Sequence, residues 1–118
     1  AEATRSRQII QGLHARDPSA WYALVGDFND TPDSRAIKTL LDPDPQGLAV
    51  LVDVHRHLPP EQRITYLRPP YRSTIDYILA SPDLARRALP ARAQVLMNHP
   101  DANGASDHAL ISATFDLR

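Results

Sequence analysis

Apolar residues in this chain fall into short extended runs, each closed by glycine, proline or a polar pair. Trp21-Tyr22-Ala23-Leu24-Val25 stops at Gly26, and Leu48–Val54 follows Gly47. Ile64–Leu67 and Ser73–Leu79 flank Arg68-Pro69-Pro70-Tyr71-Arg72, while Arg92–Met97 and Leu110–Leu117 come last. Runs of this length, rich in β-branched residues and bounded by turn formers, predict strands. Helical spacing appears between them. Ile9, Ile10 and Leu13 recur along residues 3–15 until Asp17-Pro18-Ser19, and Ala36, Ile37, Leu40 and Leu41 form one stripe before Pro43 and Pro45. Thr31-Pro32 reads as the N-cap and first residue of that second helix, and Ser81-Pro82 opens a short helical turn. Five or six strands with two or three helices predict an α/β or α+β domain. With no repeat, low-complexity segment or interior linker, residues 1–118 read as one domain.

Composition narrows the function classes. A formal charge of −1 offers no global attraction to nucleic acid, so any polyanion must be met by a local patch. No cysteine means no disulfide framework and no thiolate metal site. No apolar run approaches 18 residues and the N-terminus lacks a signal-peptide pattern, so the chain reads as soluble with no membrane span. The compartment is left open.

Three short polar motifs sit at strand ends or inside strands: Gly26-Asp27-Phe28-Asn29, Ile75-Asp76-Tyr77 and Ser106-Asp107-His108. A strand ending in Gly-Asp-Phe-Asn puts Asp27 and Asn29 two residues apart, hence on one side, with Phe28 turned to the core. The plainer reading is that both simply favour the following turn. Asp76 lies between apolar neighbours, where an ionised carboxylate needs a partner, unless it faces water on an edge strand. His108, just before the last strand, offers that partner: a carboxylate on one ring nitrogen orients the imidazole and favours its protonated form. An EF-hand at Asp27, Asn29 and Thr31 fails, because Pro32 and Lys38 stand where that loop needs Gly and Glu. His55, His57 and His99 make an incomplete set for Zn²⁺.

Taken in order, Leu24–Ser34, Ser73–Ser81 and Ala105–His108 with its following strand resemble the C-terminal half of the endonuclease/exonuclease/phosphatase superfamily, which includes DNase I and exonuclease III. That resemblance implies one mixed β-sheet with two or three helices on one face, half of a four-layered α/β sandwich. It implies a phosphoesterase, a nuclease or phosphodiesterase type of hydrolase, using Mg²⁺ or Mn²⁺. It gives Asp27 a role at the attacking water, Asn29 a hold on a phosphate oxygen or water, and Asp76 the pairing with a His108 that contacts the scissile phosphate. Asp107, with Asp27, assists metal or water binding.

The resemblance also marks what is missing. The superfamily's main metal-binding glutamate lies before the first motif, and Glu2 and Glu61, the only glutamates, lack its context. The isolated chain is therefore expected to be nearly inactive. Its open sheet face is expected to be covered by a second copy or by the missing N-terminal half. Arg68, Tyr71 and Arg72, on or beside the Pro-rich loop, are candidate substrate contacts, against the plainer reading of a solvated loop. The motifs look most like those of bacterial members described as extracellular nucleases or as hydrolases, which favours nucleic acid and leaves lipid or inositol phosphates open. A non-catalytic binding module that keeps the fold is the reading from another class.

Overall fold

A computed structural model of the protein describes residues 1–96 and 105–118. The elements run α1 (Glu2–Arg16), β1 (Ala23–Asp27), α2 (Arg35–Leu41), β2 (Val52–Asp53), β3 (Tyr66–Arg68) and β4 (Tyr71–Ser73), then β5 (Asp76–Ala80), α3 (Pro82–Ala85), β6 (Gln94–Leu96) and β7 (Leu110–Ser112). This is the mixed α and β class that the sequence predicts. The strands differ in how they associate: among the described residues they pair in three short ladders, all antiparallel, rather than in one mixed sheet.

β5 is the centre of the largest ladder, with order β1-β5-β2. Its side chains alternate between two apolar clusters. Tyr77 and Leu79 join Ile37 and Leu40 of α2 and the buried Val50 and Leu51, with Ala3 and Ile10 of α1 packed against them. Ile78 and Ala80 belong to the other cluster, with Val54, Leu84 and Ala85 of α3, and Phe115. Two helices thus share one face of β5, while α3 packs with the other.

Local chemistry explains where the elements stop. The Leu48–Val54 run yields only a two-residue strand, because Tyr22 Oη donates to Val50 O at 3.0 Å and Asp53 Oδ1 accepts from His55 N at 2.9 Å, turning the chain. Ser34, rather than Thr31, caps α2, its Oγ accepting from Ile37 N at 3.2 Å. Thr31 instead closes a turn before the helix, with Ser34 N donating to Thr31 O at 2.9 Å. The other end of α2 is covered by Arg7 from α1, a buried arginine whose Nη1 donates to Thr39 O, Leu40 O and Asp42 O at 3.3, 3.1 and 2.7 Å. Those are carbonyls a helix terminus leaves without intrahelical partners.

At the start of β1, the exposed Trp21 ties the sheet to α3. Its Nε1 donates to Asp83 Oδ2 at 2.7 Å, and the Arg87 guanidinium lies 4.7 Å from the centre of its ring. At the far end, Tyr77 Oη donates to Asp30 O at 2.8 Å and to Thr74 O at 3.1 Å, fastening the loop after β1 to the start of β5. Burial pushes the Tyr77 hydroxyl well above its usual pKa.

Leu79 has no solvent exposure, so Leu79→Ala is expected to cost ~2–5 kcal/mol through lost transfer energy and a residual cavity. Tyr77→Phe is expected to cost about 1–3 kcal/mol, because two carbonyls lose their donor. Urea denaturation measures both, and an unchanged midpoint for Tyr77→Phe would show that the hydroxyl does not hold the loop.

Candidate active site

The register of β1 on β5 places Asp27 directly opposite Asp76 and Val25 opposite Ile78, so these four side chains share one face of the ladder. Val25 is exposed there. Like charges set directly across an antiparallel pair repel, which calls for a positive or proton-donating group near them.

His108 is that group. Its Nδ1 lies 2.9 Å from Asp76 Oδ2, and since an ionised carboxylate only accepts, Nδ1 donates. Its Nε2 faces Asp27 Oδ2 and Asp107 Oδ1, each 4.0 Å away. Those gaps are too long for hydrogen bonds and suited to a bridging water or ligand oxygen. The Asp76 side chain is 13% exposed and that of His108 32%, so the pair is recessed yet reachable. The Asp76 hydrogen bond, joined by the charges of Asp76, Asp27 and Asp107, raises the His108 pKa against the opposing pull of desolvation.

Neighbouring backbone fixes the imidazole. Residues 107–109 lie along β3: Leu67 N donates to Asp107 O at 3.0 Å and Ala109 N to Thr65 O at 2.7 Å, forming an isolated bridge between Tyr66 and His108. The Tyr66 ring packs against the imidazole with centroids 5.0 Å apart. Tyr66 escapes sequence reasoning, where it reads only as a residue of β3; the pairing of β3 with the segment around His108 is what gives it this place.

Asn29 joins the site differently from the same-side placement read from the sequence. It adopts a left-handed φ of 53°, and its backbone N–H donates to Asp27 Oδ1 at 2.8 Å. This is the turn that Asp and Asn favour, and it interrupts the strand alternation on which that placement rested. It leaves Asp27 Oδ2 toward His108. Phe28 does turn inward, its ring centre 5.3 Å from that of Tyr77.

The three candidate substrate contacts separate. In the β3–β4 register Arg68 pairs with Tyr71, and Arg72 with Leu67. Strand alternation therefore puts Arg68 and Tyr71 on the face of Tyr66, and Arg72 on the opposite face, where it lines a groove with His57, Gln62 and Gln94. The histidine set also divides: His55 Nε2 bonds Ser112 O at 2.9 Å and His57 Nε2 bonds Pro90 O at 3.0 Å, while His99 lies outside the described residues.

Among the described residues, Asp27, Asp76 and His108 form a group with one ligand atom from each within 4.8 Å of the others, a geometry that could hold a metal ion. With His108 Nδ1 engaged by Asp76, the donors left for a cation are His108 Nε2 and the carboxylate oxygens. No helix among the described residues is long and apolar enough to cross a membrane.

A family model described as the Endonuclease/Exonuclease/phosphatase family matches residues 6–108, a span containing every residue of this site. No curated protein and no solved structure matches the chain.

His108 is expected to titrate above its ordinary 6.5, and Asp76→Asn to bring it down by removing the largest cause of the rise. Because the folded-state pKa is the higher one, the pair's contribution to stability is full below about 6.5 and is lost as pH climbs through the raised value. NMR titration of the imidazole and denaturation across that range measure both effects. A His108 midpoint unmoved by Asp76→Asn would overturn the assignment.

Proposed function

The chain belongs to the endonuclease/exonuclease/phosphatase family, and from that premise we propose that its Asp27, Asp76, Asp107 and His108 form the water-orienting and phosphate-stabilising side of a phosphodiester hydrolysis site. Members of the family are generally hydrolases of phosphoester bonds. The observation that carries the reading is the Asp76–His108 pair at 2.9 Å, set on one face with Asp27 across the ladder.

In this reading a water lies between Asp27 Oδ2 and the phosphorus. Asp27, steadied by the Asn29 amide, takes a proton from the water as its oxygen attacks. The P–O bond to the leaving group breaks, and the departing oxygen takes a proton from solvent. His108 donates from Nε2 to a non-bridging oxygen, where charge builds in the transition state, and Asp76 holds the ring for that task and stabilises its positive form. Mg²⁺ or Mn²⁺, held by carboxylate oxygens of Asp107 and Asp27, would supply Lewis-acid polarisation of the phosphate. Asn29 serves through its backbone in this scheme, with its amide side chain available to a phosphate oxygen or water.

Arg68 and Tyr71, on the Tyr66 face, are the proposed contacts to the flanking substrate, a phosphate for the guanidinium and a base for the ring, which favours nucleic acid. Arg72, on the other face, serves at most at longer range. We further propose that residues 1–118 are the C-terminal half of a larger domain whose other half supplies the principal metal-binding glutamate. That half covers the face bearing Val25; a sheet-to-sheet pair of two copies is the competing arrangement.

The purified 118-residue chain with Mg²⁺ is expected to hydrolyse bis(p-nitrophenyl) phosphate barely above background, and the complete domain to do so readily. In the complete domain His108→Ala and Asp27→Asn should each lower kcat by about 10²–10⁴-fold. Robust turnover by the chain alone would overturn the division of the domain, and near-normal turnover by either variant would overturn the roles assigned to His108 and Asp27.

A further inference from the structure

Between β4 and β5 the chain passes from one ladder into another. Ser73 is the last residue paired to β3 and Asp76 the first paired to β1, so Thr74 and Ile75 span a corner. At such a corner the ladder hydrogen bonds run out, and the amides of Ile75 and Asp76 need another acceptor. A single oxygen provides it. Thr65 Oγ1 accepts from Ile75 N at 3.0 Å and from Asp76 N at 3.1 Å. The residue is 1% exposed, so water does not substitute for that oxygen.

The same residue reaches the other partner of the pair through its backbone. Thr65 O accepts from Ala109 N at 2.7 Å, next to His108, and Thr65 N donates to Ser73 O at 3.0 Å. Asp76 and His108 come from segments 32 residues apart, and Thr65 is bonded to the backbone of both neighbourhoods. The Asp76–His108 bond is a side-chain contact whose length depends on how those two backbones are set.

We infer that Thr65 is the positioning residue of the Asp76–His108 pair: its hydroxyl sets the height of Asp76, and its carbonyl sets the segment that presents His108. It touches neither substrate nor reacting atoms and acts through the imidazole. The importance of the pair rests on the function proposed above, whereas the positioning claim stands on these hydrogen bonds. Valine has nearly the same shape as threonine and lacks the acceptor, while serine keeps the oxygen. That contrast separates the hydroxyl's role from packing.

The test reads the tautomer of neutral His108 in the ¹⁵N-labelled 118-residue chain, by long-range ¹H–¹⁵N spectra of the imidazole. Wild type and Thr65→Ser are expected to show the Nδ1–H form that Asp76 selects. Folded Thr65→Val should shift toward the Nε2–H form that an unconstrained histidine prefers. A folded Thr65→Val that keeps the Nδ1–H form overturns the inference, as does a Thr65→Ser that loses it. Should Thr65→Val fail to fold, hydrogen exchange of the wild-type chain decides. Protection of the Ile75 and Asp76 amides comparable to the β1–β5 ladder supports the inference, and exchange of either at the rate of an unbonded amide overturns it. Neither measurement uses a metal or a phosphoester. Wild-type protein with the expected tautomers and no hydrolytic activity in the complete domain would therefore overturn the proposed function and leave the positioning role standing.

Discussion

Everything in this fold depends on β5 being apolar on both faces along most of its length and charged at its first residue. Tyr77 and Leu79 enter one cluster, Ile78 and Ala80 the other, and both Leu79 and Ala80 are wholly buried. A strand committed on both sides has little freedom to slip, since a shift of one residue would send each side chain to the opposite face. That rigidity is what makes the placement of Asp76 definite. The apolar body of the strand sets the register, and the register brings one carboxylate across from another at the open end.

Such an arrangement is unfavourable by itself. Two carboxylates on paired residues gain from a shared positive neighbour, and the histidine that serves comes from a segment held against β3 rather than against the central ladder. The site is assembled from two ladders that meet at the Thr74–Ile75 corner, and the loop that follows Asp27 is fastened to the same corner by the Tyr77 hydroxyl. Stability and chemistry thus draw on one set of contacts at this end of the molecule.

How much of this is legible in the sequence follows from what each residue's neighbours can reveal. Asp27, Asp76 and His108 can be read because ionisable residues at the ends of apolar runs, or inside them, need a reason to be there. The runs themselves locate β1 and β5 to within two or three residues. Strand direction and the splitting into three ladders cannot be read, because a short apolar run looks the same whichever neighbour it pairs with. Asn29 misleads for a related reason: a residue two beyond Asp27 continues the strand alternation only if the strand continues, and the backbone turns instead. Thr65 is hidden because threonine in a strand needs no explanation beyond its β-branched shape. Arg7 is hidden because an arginine on an amphipathic helix reads as solvent-facing, and only the arrival of α2 turns it into a cap.

The tie between Trp21 and α3 has a practical consequence. Trp21 is the only tryptophan in the chain, and it sits just before β1, six residues from Asp27 at the strand's other end. At about 3.3 Å per residue the indole is roughly 20 Å from the carboxylates. Its fluorescence, set by the Asp83 hydrogen bond and the stacked Arg87, is therefore an intrinsic reporter on whether α3 is docked. It is nearly blind to what binds at the Asp27–His108 end. A titration that changes the emission is a statement about the α3 pole of the molecule, and a silent titration is no argument against a ligand at Asp27 and His108.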